Sequence, residues 1–386
     1  MSMSMHLAIV PRGARRAAAR LAAPAFGAAL AVLTAAPAAS GQRPGPSNTI
    51  TDVPGIKVGH ETRIGGGYRT GTTVILTERG ATAGFSQLGG APGTKEVALL
   101  EPGGLVTQVN AIVLSGGSAY GLDAATGVMR WLEEHGYGFP VPGGVVPIVP
   151  AAILFDLGRG GDFKARPDAG FGYRAAAVAT ADPVPMGRVG AGTGARHGLG
   201  SASVVLDNGY TVGAIVALNP AGSVVNPQTC LPYGVFLELD GEFGLVQPRP
   251  EECHPPESDG PENGGEWGRQ PFNTTIAVVA TDAPLDQTQA KRMAMIANGG
   301  LARSIKPVHG LRDGDLIFAV ATTPPDRTLS IRDLDAIYNA GADALGRAVV
   351  HALLNAGSIG NSKGYCDRYP SACRNRKSTP RSPTGR

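Results

Sequence analysis

Gln270-Pro271-Phe272-Asn273-Thr274-Thr275-Ile276-Ala277-Val278-Val279-Ala280-Thr281 is the stretch whose reading decides the fold. Upstream of it, from Val246 to Asn273, Pro, Glu, Gly and Asn dominate, with Pro255-Pro256, Asp259-Gly260 and Gly264-Gly265. A polar loop of that length inside a compact enzyme is either functional or disordered, and it is open to cleavage. At Thr274 the composition turns abruptly apolar and β-branched, which predicts a strand over Thr274 to Ala280. The first strand residue therefore carries a hydroxyl directly after the carbonyl of Asn273. Read alone, Asn-Thr-Thr before an apolar run also describes an ordinary strand start.

Outward from that junction, the chain alternates short strands with glycine turns. Gly71 to Leu76 and Ala111 to Leu114 read as strands. The second runs into Ser115-Gly116-Gly117-Ser118-Ala119-Tyr120-Gly121 and then an amphipathic helix through Val128, Met129 and Leu132 to about His135. Prolines between Pro140 and Pro150 make that segment extended rather than helical. Gly190-Ala191-Gly192-Thr193-Gly194 is a second glycine turn, followed by the strand Ser201 to Leu206. Asp207-Asn208-Gly209 turns the chain into a return strand, Thr211 to Leu218, that ends at Asn219-Pro220. Beyond the central stretch come a helix from about Asp286 to Arg303, a strand Leu316 to Ala321 led by Arg312-Asp313-Gly314-Asp315, and a helix from Ile331 to about Leu354.

The 386 residues allow one large domain or two. With 56 glycines, 31 prolines, 17% charged and 42% hydrophobic residues, the composition suits a turn-rich globular enzyme rather than a disordered or coiled chain. A net charge of +3 is too small to point to nucleic acid. Arg12, Arg15, Arg16 and Arg20 precede the apolar run Leu21 to Ala36 and the small residues Ala36-Pro37-Ala38, the order of a secretory signal cut near Ala38 or Ser40, with a disordered Ala-rich leader or a membrane anchor as the other readings. The expected organisation is a signal over 1–40, a Pro/Gly linker over 41–48, folded parts over 49–273 and 274–360, and a basic tail over 361–386. Export would make the protein periplasmic or secreted, free of the membrane once the signal is removed. The cysteines, Cys230, Cys253, Cys366 and Cys373, allow three pairings, of which Cys230–Cys253 and Cys366–Cys373 each close a short loop. None has metal-ligand spacing.

Elimination narrows the chemistry. Gly117-Ser118-Ala119-Tyr120-Gly121 lacks the spacing of a nucleophile elbow, and His60-Glu61-Thr62-Arg63-Ile64 fails the zinc-protease pattern at its last position. The turn at Gly190 leads into a strand rather than the helix a dinucleotide site requires. No cofactor or metal motif stands out. What remains is a nucleophile made by cutting the chain. Breaking the Asn273–Thr274 bond frees an α-amine beside the Thr274 hydroxyl, and an α-amine titrates close to neutrality, so one residue supplies both nucleophile and base. The same hydroxyl can first attack the Asn273 carbonyl, giving an ester that water opens. Ser115, Gly116 and Gly117 offer backbone donors or a pocket wall where strand meets helix, or simply close packing at that turn.

Five ordered blocks carry a resemblance: Thr51 to His60, Gly89 to Thr94, Leu114 to Leu122, Gly190 to Gly194 and Asn273 to Ile276. From about Asn48 to Gly360 the chain resembles the DmpA-type self-processing aminopeptidases, the family that includes β-aminopeptidases and 6-aminohexanoate-oligomer (nylon oligomer) hydrolases. The resemblance implies an α+β fold of the N-terminal-nucleophile type, an αββα four-layer sandwich. It also implies cleavage into an α and a β subunit that pair and commonly assemble as tetramers, and a small peptide or oligoamide as substrate. Asn-Thr at the cut makes the chain more similar to the nylon-oligomer branch.

By that resemblance Thr274 is the nucleophile, Asp313 and Asp315 are an acidic pair, and Asn226 donates to the oxyanion. Independently, residues two apart in an extended segment share a face, so the two carboxylates suit the Thr274 amine or a substrate ammonium. Asn226 before Pro227 also reads as a plain turn. Where the family has a lysine before its Gly-Leu-Gly-Ser-Ala-Ser strand, this chain has Arg196 and then His197. Arginine keeps the charge but does not exchange its proton near neutral pH. Two other functions fit the sequence: an acyltransferase using the same N-terminal threonine, and an uncut exported binding protein.

Overall fold

Every residue of the strand Ile276–Thr281 is buried, which requires packing on both faces of its sheet. Ile276, Val278 and Ala280 enter one hydrophobic core, and Ala277 and Val279 enter another. The alternation with period two places the strand between two layers.

The computed structural model describes residues 42–253, 272–360 and 362–376. The signal expected over 1–40, residues 254–271 of the processing loop and the end of the basic tail lie outside the described residues. The strands are β1 (Arg43–Pro44), β2 (Lys57–Gly65), β3 (Tyr68–Gln87), β4 (Thr94–Lys95), β5 (Gln108–Ser115), β6 (Phe139–Val141), β7 (Gly144–Val146), β8 (Ala151–Ile153), β9 (Leu199–Val205), β10 (Thr211–Ala217), β11 (Ile276–Thr281) and β12 (Leu316–Ala321). The helices are α1 (Ala124–Glu134), α2 (Ala169–Ala177), α3 (Gln287–Ser304), α4 (Ile331–Asn355) and α5 (Tyr365–Arg368).

Strand order runs β1-β9-β10-β11-β12-β3-β5-β8-β4, with β2 also paired to β3. The long β3 is the crossover. Its first half pairs with β2 and β5, its register shifts between Leu76 and Ala81, and its second half pairs with β12. A shift of that kind bends a strand, so β3 passes from one sheet layer to the other. Three cores follow: α3 and α4 against β9–β12, the two sheet layers against each other, and α1 and α2 against β3 and β5. This is the αββα sandwich. α3 and α4 are capped by the side chains of Asp286 and Ser330, and α2 by Asp168, each cap contributing about 1 kcal/mol.

Two segments depart from expectation. Within the expected linker over 41–48, the described residues from 42 onward pack on the body: Arg43 and Pro44 pair with Val205 and Val204 at the sheet edge, a place that tolerates proline. The Asn48 side-chain oxygen accepts from Ser203 N at 3.0 Å and Arg347 Nη2 at 2.7 Å. Residues 362–376 of the basic tail pack on the body. Tyr365 Oη donates to Cys230 O at 2.8 Å, and Val246 N donates to Ala372 O at 3.0 Å. Buried aromatic area on Tyr365 and Tyr369 outweighs the charge that made the segment read as a tail. The cysteines join as Cys230–Cys253 and Cys366–Cys373.

Candidate active site

Thr274 lies just before β11, 3% exposed, where three segments converge. Its N–H donates to Asn219 O at 2.8 Å, just beyond the end of β10. Asn273 and Asp313 form a parallel bridge leading into β11 and β12. In that bridge Asn273 N donates to Arg312 O at 3.2 Å and Gly314 N donates to Asn273 O at 3.2 Å. The Thr274 hydroxyl donates to the same Asn273 oxygen. The carbonyl that self-cleavage would attack thus holds two donors, and its attacker is one of them.

Gly314 is required by this approach. A Cβ on it would sit 2.8 Å from Thr274 Oγ1 and 2.6 Å from Ala91 O. Any other residue displaces either the hydroxyl or the Ala91 backbone.

The two carboxylates flank that glycine, and both are buried. Asp315 Oδ1 accepts from Thr275 N at 2.7 Å, and its Oδ2 from His309 Nδ1 at 2.9 Å and His309 N at 3.2 Å. Asp313 accepts from Ala221 N at 3.0 Å and Gly310 N at 3.3 Å. Burial, and then the neighbouring Asp315 charge, push the Asp313 carboxyl above its usual range, against the pull of those two amides and His309. Asp315 thus holds the residue after Thr274, and Asp313 holds Ala221, two residues beyond the Asn219 whose carbonyl accepts from the Thr274 nitrogen.

Other expected residues are placed differently. Asn226 accepts from Gln228 N at 2.9 Å with its side-chain oxygen, the local Asx turn that Asn before Pro favours. Arg196 reaches the site through its backbone, donating its N–H to Asn219 Oδ1 at 3.0 Å. Gly116 N donates to Gly71 O at 3.0 Å and Gly117 N to Asp156 Oδ1 at 2.6 Å. Ser115 Oγ shares a hydrogen bond of 2.8 Å with Thr72 Oγ1. These turn donors are committed inside the fold rather than presented to a substrate.

The sequence reading missed Asn219 and its supports. Asn219 is fully buried. Its side-chain oxygen accepts from Arg159 Nη1 at 2.8 Å as well as from Arg196 N, and its amide donates to Phe155 O at 3.2 Å. Asp156, beside Phe155, accepts from Gly117 N and from Thr70 Oγ1 at 2.8 Å. Burial raises its pKa, while those donors and the Arg159 and Arg69 charges oppose the rise. The signal for Asn219 was its place at the end of an apolar strand, read only as a strand terminus.

The family model for peptidase family S58 matches residues 48–366. The chain belongs to peptidase family S58. It is 44% identical over 358 residues to an "uncharacterized aminopeptidase" of Mycobacterium leprae, covering 85% of this chain and 96% of that protein. It is 30% identical over 290 residues to a 6-aminohexanoate-oligomer endohydrolase of Kocuria sp., covering 71% of this chain and 75% of that one. Among solved structures, a Burkholderia sp. beta-aminopeptidase superposes with a TM-score of 0.62 at 25% identity, over 87% of this chain and 96% of the other. An L-aminopeptidase D-Ala-esterase/amidase from Ochrobactrum anthropi, described as a variant of the Ntn hydrolase fold, superposes with a TM-score of 0.64 at 24% identity, over 86% and 94%. The S58 chain is a peptide or amide hydrolase on an N-terminal-nucleophile fold.

Proposed function

We propose that this S58 chain cuts itself between Asn273 and Thr274 and then uses Thr274 as the nucleophile on amide bonds of short peptides or ω-amino acid oligomers. The observation that carries the reading is the Thr274 hydroxyl resting on the Asn273 carbonyl, which Gly314 N–H also holds. In the first reaction Oγ1 adds to the Asn273 carbonyl carbon, with Gly314 N–H taking the developing oxyanion. The carbon–nitrogen bond breaks, its electron pair stays on the Thr274 nitrogen, which takes up the proton that Oγ1 loses, and water opens the Asn273–Thr274 ester. The freed amine keeps its place through Asn219 O and becomes the base for its own hydroxyl. In turnover the hydroxyl attacks the substrate amide, the amine leaves, and water releases the acyl group.

A nucleophile 3% exposed at a new chain terminus favours small substrates over folded proteins. The oligoamide class follows the name of the endohydrolase relative, and the aminopeptidase class that of the Mycobacterium relative. The leader pattern supports export to the periplasm or medium. Cleavage would give paired α and β subunits, and the family resemblance supports their assembly as a tetramer, a mass that light scattering reads directly.

The test is intact-mass and N-terminal sequencing of purified protein, with hydrolysis of β-alanyl p-nitroanilide and 6-aminohexanoate oligomers. A fragment beginning at Thr274 in the wild type and an uncut, inactive Thr274→Ala chain are expected. A Thr274→Ala chain that still splits at this bond would falsify the reading.

A further inference from the structure

His309 occupies an unfavourable position that its turn alone does not explain. Its φ is 60°, the left-handed region that glycine and asparagine enter most readily. Its Nε2 is buried without a hydrogen-bond partner among the described residues, and leaving a buried polar atom unpaired is destabilising. A turn residue chosen for backbone shape would be glycine, and one chosen for packing would carry no unpaired nitrogen. The ring's other nitrogen supplies the reason for its presence.

His309 Nδ1 lies 2.9 Å from Asp315 Oδ2, and the His309 N–H donates to the same oxygen at 3.2 Å. The other oxygen, Oδ1, accepts from Thr275 N at 2.7 Å. The carboxylate is held between the residue after the proposed nucleophile and this histidine. Without the ring, Oδ2 would keep one backbone donor, and the carboxylate would be freer to rotate away from Thr275. Since a carboxylate accepts, Nδ1 carries a proton toward Asp315, and Nε2 is the nitrogen left unpaired.

We propose that His309 is a positioning residue: its Nδ1–H locks Asp315 in the orientation that holds the Thr274-Thr275 start of β11 in register for attack. The assignment rests on Thr274 being the nucleophile. It adds a residue that acts through Asp315 and touches no substrate.

The test uses the full chain with His309→Gly and His309→Asn, beside Thr274→Ala. Glycine suits φ of 60° and removes the donor. Asparagine also tolerates that backbone and offers a side-chain N–H at the same reach from Cα as Nδ1. Three quantities are read: the rate at which the Thr274-led fragment appears, kcat and KM of the processed enzyme on β-alanyl p-nitroanilide, and the thermal midpoint. His309→Gly is expected to slow fragment formation and kcat by about tenfold or more, with KM and the thermal midpoint near wild type; His309→Asn is expected to recover both rates to within roughly threefold. A His309→Gly chain as fast as wild type overturns the assignment, and so does asparagine no better than glycine. A Thr274→Ala chain that still splits sinks the nucleophile reading instead, whichever way the His309 variants behave.

Discussion

Gly314 combines two tasks that no other residue type can: its N–H reaches the Asn273 carbonyl, and its missing side chain leaves room for Thr274 Oγ1. Gly314→Ala should therefore fold yet mature slowly, with the Thr274-led fragment forming roughly a hundredfold more slowly, as expected when hydroxyl and carbonyl are pushed apart. A time course on a denaturing gel reads this, and near-normal processing would remove Gly314 from the mechanism. Asn219→Ala deletes the acceptor of Arg159 Nη1 and Arg196 N and the donor to Phe155 O. It should cost about 2 kcal/mol of stability and lower kcat roughly tenfold by loosening the carbonyl that holds the Thr274 nitrogen, checked by urea unfolding and steady-state kinetics. Thr274 and the Asp313/Asp315 pair were visible in sequence because a hydroxyl at a loop-to-strand junction and two carboxylates two residues apart are local patterns. Asn219, Arg159, Asp156 and His309 were not, because each acquires its place only when β10, β12 and the loop after β8 are brought together. Asn226 folds its side-chain oxygen into an Asx turn with Gln228 N, which leaves untouched the expectation that its amide serves as a donor.

At the scale of elements, the proposed cut falls beside a central strand rather than at an edge. β11 pairs antiparallel with β10 on one side and parallel with β12 on the other, so the new N-terminus begins a strand clamped between both fragments. The fragments should elute together from a sizing column and separate only in denaturant. Cys230–Cys253 lies wholly before the cut and Cys366–Cys373 wholly after it. Two bands are therefore expected on a denaturing gel with or without reductant, and a single band that appears only without reductant would contradict these pairings. The strands were legible because their residues alternate or run apolar between turn signals, and the strand over Leu316–Ala321 appears at its expected bounds. The bend of β3 was not, since a register shift between neighbours leaves no periodicity of its own. β1 escaped notice because proline and glycine at a sheet edge look like a linker.

At the scale of the molecule, one buried ion network joins the two sides of the proposed cut. Glu242 accepts from Arg347 Nε and Nη2, from His351 Nε2 at 2.7 Å and from Asn48 Nδ2. Burial alone would raise its pKa, but the hydrogen bonds and charges of His351 and Arg347 together hold it at about 2. The folded pKa lies below the unfolded value of 4.5, so this stabilisation is complete above about pH 4.5 and is lost as pH falls towards 2. The shift corresponds to roughly 3 kcal/mol. Urea unfolding at intervals from pH 6 to pH 3 should show a steeper acid loss for wild type than for Glu242→Gln, and parallel curves would discount the network. Asn48 also ties this arrangement to the start of the folded chain. If the leader pattern directs export, a cut after Ser40 would leave only Gly41 and Gln42 before β1, and the processing enzyme would work close to the first strand. Trimming that ran a few residues further would strip the edge strand and then the Asn48 clamp, and molecules that begin beyond Asn48 should unfold at lower urea near neutral pH than those that keep it.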